Sequence, residues 1–351
     1  MKKFIAIIRG YHDQIFHFTK EENYHILPIE AMKEAGYKCE IYALNAKVII
    51  ENDPNFINWT KVIYYKNIRE YLYYLYKNRN YIIYSNSITL KSLIVGLIGK
   101  YTIFCPHSYP FWHNKIKKLI IIFFYHFFTK IRINNQEELN AINTIKKNLG
   151  VKIPLSIGKT FLSHNTFSTR EDTIIWIGNL TPIKNPLFLI SLGKKMKDEN
   201  LWLKIRVIWE DRMSLFYKTS FAKLIKENDL QDIIYLQGVL WHGEIKSILR
   251  KSKYYLNTSI SEGQCLAVYE AALAGCYLFL PRIMSFPSVF WENASYFTQV
   301  WELIKNIKLI LNWNSEVIKN KIEKNQKMIL KNYNYTFIKK LFKETVLAIK
   351  N

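Results

Sequence analysis

Cysteine is scarce in this 351-residue chain: Cys39, Cys105, Cys265 and Cys276 are the whole set, and no two form a C-x-x-C pair. A disulfide scaffold and a cysteine-rich structural zinc site are thereby excluded, and a reduced thiol set is expected. Acid is scarce too, with 28 Asp and Glu against 50 Lys and Arg, a formal net charge of +22. Residues 119–128 are apolar but for His126, and ten residues are too few to span a bilayer. G-x-x-x-x-G-K-[ST], G-x-S-x-G and H-E-x-x-H are all missing, as are internal repeats and low-complexity tails. The opening MKKFIAIIRG has the look of a signal peptide, but its apolar run is short and Arg9 and Asp13 follow. It reads as a first strand, and the chain is expected to stay in the cytoplasm.

What is present suits two domains with full cores, since 49% of residues are hydrophobic and 22% charged. Apolar runs of strand length alternate with helical patterns. Residues 4–8 precede a loop at Gly10, a helical pattern spans 22–35, and strand character returns at 39–44. Further strands are expected at 82–84 and 101–105, the second running straight into His107. Residues 155–170 lack periodicity and read as an interdomain linker. A second α/β pattern starts at 173–177 and ends in Gly178; more strands are expected at 201–209 and at 233–238, ending in Gly238. His242 reads as a polar loop residue. Two helical patterns are expected beyond Trp301.

The most informative stretch is residues 254–281, YYLNTSISEGQCLAVYEAALAGCYLFLP. Two buried strands flank a turn-rich loop and a helix over 264–274, which Gly275 stops. Such a unit places its strands parallel in one sheet. Glu262 stands in the loop before the helix, where free N–H groups and the helix dipole favour an anion. Glu270 borders the helix's apolar side and requires a hydrogen-bonding partner. Taken alone, the two fit a capping residue and an ion pair with a nearby lysine.

Glu262-Gly263, Glu270-Ala271 and Ala274-Gly275 resemble the E-x7-E signature of retaining nucleotide-sugar glycosyltransferases of family 4. The resemblance implies a GT-B fold, α/β with two Rossmann-like domains facing across a cleft. It implies that Glu262 sits by the donor sugar and Glu270 binds the ribose. The helix N-terminus, with Gly263, Gln264, Cys265 and Leu266, would receive the diphosphate. GNLTPIKNP resembles the family's phosphate-binding loop, with Lys184 at the lysine's spacing from Gly178 and Asn179 where an arginine is usual. Arg282 is a candidate replacement for the missing cation. His107 would lie beside the reacting carbon, Gly10 in a cleft loop, and Gly238 near the nucleotide base. Catalytic work falls to Lys184, Glu262 and His107.

The implied domains are 1–160, facing acceptor and membrane, 161–332, binding the nucleotide sugar, and 333–351, a helix crossing back to the first. No D-x-D is present to anchor a metal-bound nucleotide sugar, consistent with a family that works without cofactor or metal. Residues 61–132 carry twelve basic residues and the single acid Glu70, a net +11. Within them the 119–128 run, flanked by basic clusters, reads as a core helix or as an interfacial segment meeting anionic lipid. The expected function is sugar transfer from a nucleotide-sugar donor to a glycolipid or surface-polysaccharide acceptor, at the inner face of the cell membrane. A nucleotide-sugar epimerase of similar fold is the near alternative. A basic nucleic-acid-binding protein is the distant one, and the mixing of its cations with apolar runs argues against it, so nucleic acid is not an expected partner.

Overall fold

A computed structural model describes residues 2–9, 26–44, 61–64, 67–86, 89–106, 115–209, 215–283 and 286–349. Gly10 and His107 lie outside the described residues. The chain divides into two compact units, Met1–Ile157 with Asn332–Asn351, and Gly158–Lys331.

In the first unit seven strands form one sheet: β1 (Lys3–Arg9), β2 (Lys38–Leu44), β3 (Lys61–Tyr64), β4 (Ile82–Ser85), β5 (Tyr101–Phe104), β6 (Lys130–Ile133) and β7 (Gly150–Lys152). Their order is β3-β2-β1-β4-β5-β6-β7, every pairing parallel. Parallel sheets carry helices on both faces, so their strands are apolar on both sides and read as continuous runs. Period-two alternation sorts those runs. Phe4, Ala6 and Ile82 enter one core with Met32 and Phe342, whereas Ile5, Ile7 and Ile83 enter the other with Tyr71, Val95 and Tyr125. Among the described residues before Gly158, the helices of this unit are α1 (Leu27–Glu34), α2 (Ile68–Lys77), α3 (Leu90–Ile98), α4 (Lys115–Tyr125) and α5 (Gln136–Ile145).

The second unit holds β8 (Glu171–Ile177), β9 (Lys204–Ile208), β10 (Ile234–Gly238), β11 (Ser252–Leu256), β12 (Tyr277–Pro281) and β13 (Ser295–Phe297). The order is β10-β9-β8-β11-β12-β13, again all parallel. Around it lie α6 (Leu187–Asp198), α7 (Leu215–Glu227), α8 (His242–Lys251), α9 (Leu266–Leu273), α10 (Phe286–Phe290), α11 (Val300–Leu311) and α12 (Ser315–Asn332). The last helix, α13 (Tyr335–Ala348), belongs to the first unit. There the Tyr335 hydroxyl donates to the Glu30 carboxylate, and Phe342 meets the rings of Phe4 and Tyr84 edge-on, at 6.3 and 5.6 Å.

Two expectations change. Residues 155–170 are not a loose tether: they include two 3-10 turns, Lys159–Phe161 and Phe167–Thr169, and Phe161 and Arg170 are buried. Arg170 donates to the carbonyls of Ala274 (2.7 Å) and Asn165 (3.1 Å), so a guanidinium satisfies an orphan carbonyl where α9 ends. Packing of that kind leaves no periodic trace. Three helices rather than two follow Gln299, because residues 312–314 break the pattern between α11 and α12.

Both sheets reverse direction once, between β1 and β4 and between β8 and β11. In open α/β sheets ligands bind beyond the carboxyl ends of the strands at such a switch point.

Candidate functional site

At the second switch point two loops are stitched together. The loop after β8, 178–186, makes a 3-10 turn at Pro182–Lys184 and turns out through Asn185 at φ 50°, a left-handed conformation that asparagine tolerates. The loop after β11 runs from Asn257 to Cys265. The Ile260 N–H donates to the Ile183 carbonyl (2.9 Å), and the Thr258 hydroxyl donates to the Lys184 carbonyl (2.7 Å). That same hydroxyl accepts from Trp176 Nε1 at 2.8 Å, tying both loops to a ring buried in the core.

This frame brings Lys184 and Glu262, 78 positions apart, into direct contact: Nζ lies 2.5 Å from Oε1, with side chains 24% and 12% exposed. Glu262 also accepts from the Ser259 hydroxyl at 2.6 Å. The carboxylate therefore serves the lysine and the serine, which corrects the reading of Glu262 as a cap. The N-cap of α9 is Cys265, no side chain caps it, and the first turn contains no acid. The positive helix end beside Lys184's loop thus has no capping side chain of its own, and the nearest carboxylate is that of Glu262, three residues before the N-cap. The helix starts at Leu266, so Gly263, Gln264 and Cys265 precede its first turn. Asn257 Nδ2 donates to Cys265 Sγ at 3.4 Å. Burial, and then the Glu262 carboxylate, push the Cys265 thiol up to about 12.

Glu270, one turn further along α9, faces a histidine rather than a lysine among the described residues. Its Oε1 lies 3.5 Å from Nε2 of His242, and both side chains are largely buried. His242 is the first residue of α8, not a loop residue, because the Trp241 N–H finds the Glu244 carboxylate at 2.8 Å and opens the helix there. Its ring meets Phe161 edge-on, centroids 4.9 Å apart. His242 and Phe161 are the residues that sequence reasoning missed. The only signal was a histidine three residues before an apolar helical pattern, which is too common to single out. Tyr255 is buried within the field of both glutamates. Burial raises its hydroxyl well above the ordinary phenol range, and the carboxylates of Glu262 and Glu270 add to the effect.

The other expected site residues are placed as follows. Gly178 follows β8, its N–H donating to Ile208 O (3.1 Å); an added Cβ would meet the Trp176 ring at 3.2 Å and Lys184 Cδ at 3.5 Å. Asn179 is adjacent, and its buried Oδ1 accepts no hydrogen bond among the described residues. Gly238 ends β10 at φ 84°, where only glycine is comfortable. Arg282 is exposed just past β12, its guanidinium over the Tyr296 ring, 5.6 Å from the centroid, and its charge helps to lower the Glu302 carboxyl, behind the hydrogen bonds that group accepts from Thr298. Both partners lie on the β13 side. Among the described residues no group of three His, Cys, Asp or Glu could hold a metal ion.

A family profile described as "Glycosyl transferases group 1" matches residues 160–335, the stretch that contains both stitched loops. Among curated proteins, a phosphatidylinositol N-acetylglucosaminyltransferase subunit of Arabidopsis thaliana is 26% identical over 200 residues, 52% of this chain and 44% of that protein. The Homo sapiens protein of the same name is 36% identical over 64 residues, 18% of this chain and 13% of its own. The matches thus span less than half of either relative. Among solved structures, Anabaena HepE in complex with UDP-glucose aligns over 99% of this chain and 100% of its own, with TM-score 0.78 and 14% identity. Sucrose-phosphate synthase from Thermosynechococcus elongatus aligns over 99% of this chain and 100% of its own, with TM-score 0.74 and 13% identity. At such identities the likeness shows the fold alone, the GT-B type with two α/β domains.

Proposed function

The chain belongs to the glycosyl transferases group 1 family, and on that premise we propose that it moves a sugar from a nucleoside-diphosphate sugar to a membrane-associated glycolipid or surface-polysaccharide acceptor. The acceptor class is of the lipopolysaccharide, capsule or O-antigen type. Transfer proceeds with retention, as in family 4, and without a metal ion. The observation that carries this reading is the meeting of Lys184 and the uncapped start of α9 at the sheet's switch point.

In the proposed reaction the bond between the anomeric carbon and the diphosphate breaks, and a bond to an acceptor hydroxyl forms. The hydroxyl proton passes to the departing phosphate. Charge grows on the diphosphate, and a preorganised donor there contributes about 3–4 kcal/mol. Lys184 supplies one such donor. A diphosphate competes with the Glu262 carboxylate for that ammonium, and displaced Glu262 then turns to the sugar hydroxyls. Glu270 holds the ribose, with His242 fixing its carboxylate. Asn179 offers an amide where a second cation is usual, giving a hydrogen bond without the charge. His107 and Gly10 keep the roles that the resemblance implies, and the enzyme works peripherally at the inner face of the cell membrane. The relatives support the donor class: one is named as part of an N-acetylglucosaminyltransferase, and one was solved with UDP-glucose.

The test is a donor panel with released nucleoside diphosphate as the readout, run with and without lipid-linked acceptors. Release that depends on the acceptor supports transfer. Release without any acceptor, accompanied by free sugar or its epimer, favours an epimerase and overturns the proposal.

A further inference from the structure

Helix α4 is apolar on both sides, yet only one side is buried. Ile121 and Tyr125 are 5% and 0% exposed, and Tyr125, with Phe128 just beyond the helix, packs on Phe104 at centroid distances of 5.8 and 4.7 Å. On the other side, at spacings of one, three or four residues, Ile116, Leu119, Ile120, Phe123 and Phe127 face outward; Leu119 is 67% and Phe123 58% exposed. The Phe123 and Phe127 rings pair edge-on at 5.2 Å on the surface itself. A helix apolar all round belongs inside a core or against a nonaqueous phase, and the core accounts for only half of this one.

The neighbouring helices extend the patch. At Gly96 of α3 an added Cβ would meet the Phe128 ring at 3.0 Å, so the glycine admits the close approach of α3 to the chain that follows α4. Leu90 and Leu97 of α3 are exposed. Helix α2 is held to α3 by the Tyr71 hydroxyl, which donates to the Lys91 carbonyl at 2.7 Å, and it exposes Leu72, Tyr73 and Tyr76. Exposed apolar side chains on three neighbouring helices, rimmed by charge, are the mark of an interaction site. The flanking charge is predominantly positive: Arg69, Lys77 and Lys100 are exposed, Arg79 sits 4.0 Å from the Tyr76 ring centre, and exposed Glu70 is the single acid in residues 61–132.

We propose that the outer face of α2, α3 and α4 docks on an anionic lipid bilayer, the aromatic and aliphatic side chains entering the headgroup layer and the cations meeting lipid phosphates. Charge decides between occupants. A second copy would set one strongly basic face against another, and the two would repel. An anionic bilayer complements both properties of the face. The proposal deepens the acceptor half of the function above and rests on that reading only for its purpose, since binding is measurable without catalysis.

The experiment is flotation of the full chain with phosphatidylcholine vesicles, with and without phosphatidylglycerol. The wild type is expected to float with the anionic vesicles only, and added salt should release much of it. Leu119→Gln with Phe123→Gln should weaken binding by at least about tenfold at an unchanged melting temperature, because both side chains are already exposed. Failure of the wild type to float, or undiminished binding by the double variant, overturns the proposal. So does a stable dimer in sedimentation that the double variant dissociates. Nucleoside-diphosphate binding, followed in the same preparations without vesicles, keeps the two readings apart. Its absence defeats the transferase and leaves the docking face standing.

Discussion

Lys184 and Glu262 hold each other at 2.5 Å inside a largely shielded site. Replacing Lys184 by alanine deprives a largely buried carboxylate of its cation, although Ser259 still donates to it, which costs about 1–3 kcal/mol. A modest fall in melting temperature with the far-ultraviolet spectrum retained is the expected outcome, and wild-type stability would mean that the pair is not formed in solution. The thiols give a second prediction at this scale. Burial pushes Cys39, Cys265 and Cys276 from 9.0 up to about 12. The folded state disfavours their thiolates, so its advantage is complete below pH 9 and is lost as the pH rises from there towards 12. Urea midpoints measured across that range should fall, and a midpoint that rises with pH would contradict the assignment. Of the residues brought together here, Lys184 was singled out by its spacing in GNLTPIKNP, and Glu262 and Glu270 by theirs in E-x7-E. His242 was not, since its place beside Glu270 depends on how α8 packs against α9, and no local pattern encodes that.

Among the elements, α9 and its two ends matter most, and the sequence announced them through the strand–loop–helix–strand pattern of residues 254–281. Gly275, at φ 86°, closes the helix beneath the Arg170 guanidinium. Gly275→Ala adds left-handed backbone strain of about 1–3 kcal/mol and presses a methyl group into that guanidinium. The variant should melt clearly lower than the wild type, and an unchanged melting temperature would show that the cap is not as described. The parallel strands were legible for the same reason, since runs buried on both faces need no alternation. The packed segment 155–170 was illegible because its order comes from Phe161 and from Arg170's bonds to distant carbonyls, and neither leaves a period in the sequence.

The whole molecule joins a basic, apolar-faced first unit to a second unit that holds most of the stretch matched by the group 1 glycosyl transferases. The chain passes between units twice, and the second passage returns α13 to the first unit, where its aromatic contacts lie. Turnover is expected to survive EDTA, because in the proposed reaction charge stabilisation comes from Lys184 and the start of α9. Loss on chelation that Mg²⁺ or Mn²⁺ restores would contradict it. The central claim is that the β8–β11 switch point binds a nucleoside diphosphate, and calorimetric titration of a nucleoside-diphosphate panel into three proteins tests it most directly. Wild type should bind at least one member of the panel, and Lys184→Ala and Glu270→Gln should each weaken that binding by about tenfold or more. Equal binding by all three proteins, or none by the wild type, would contradict the account.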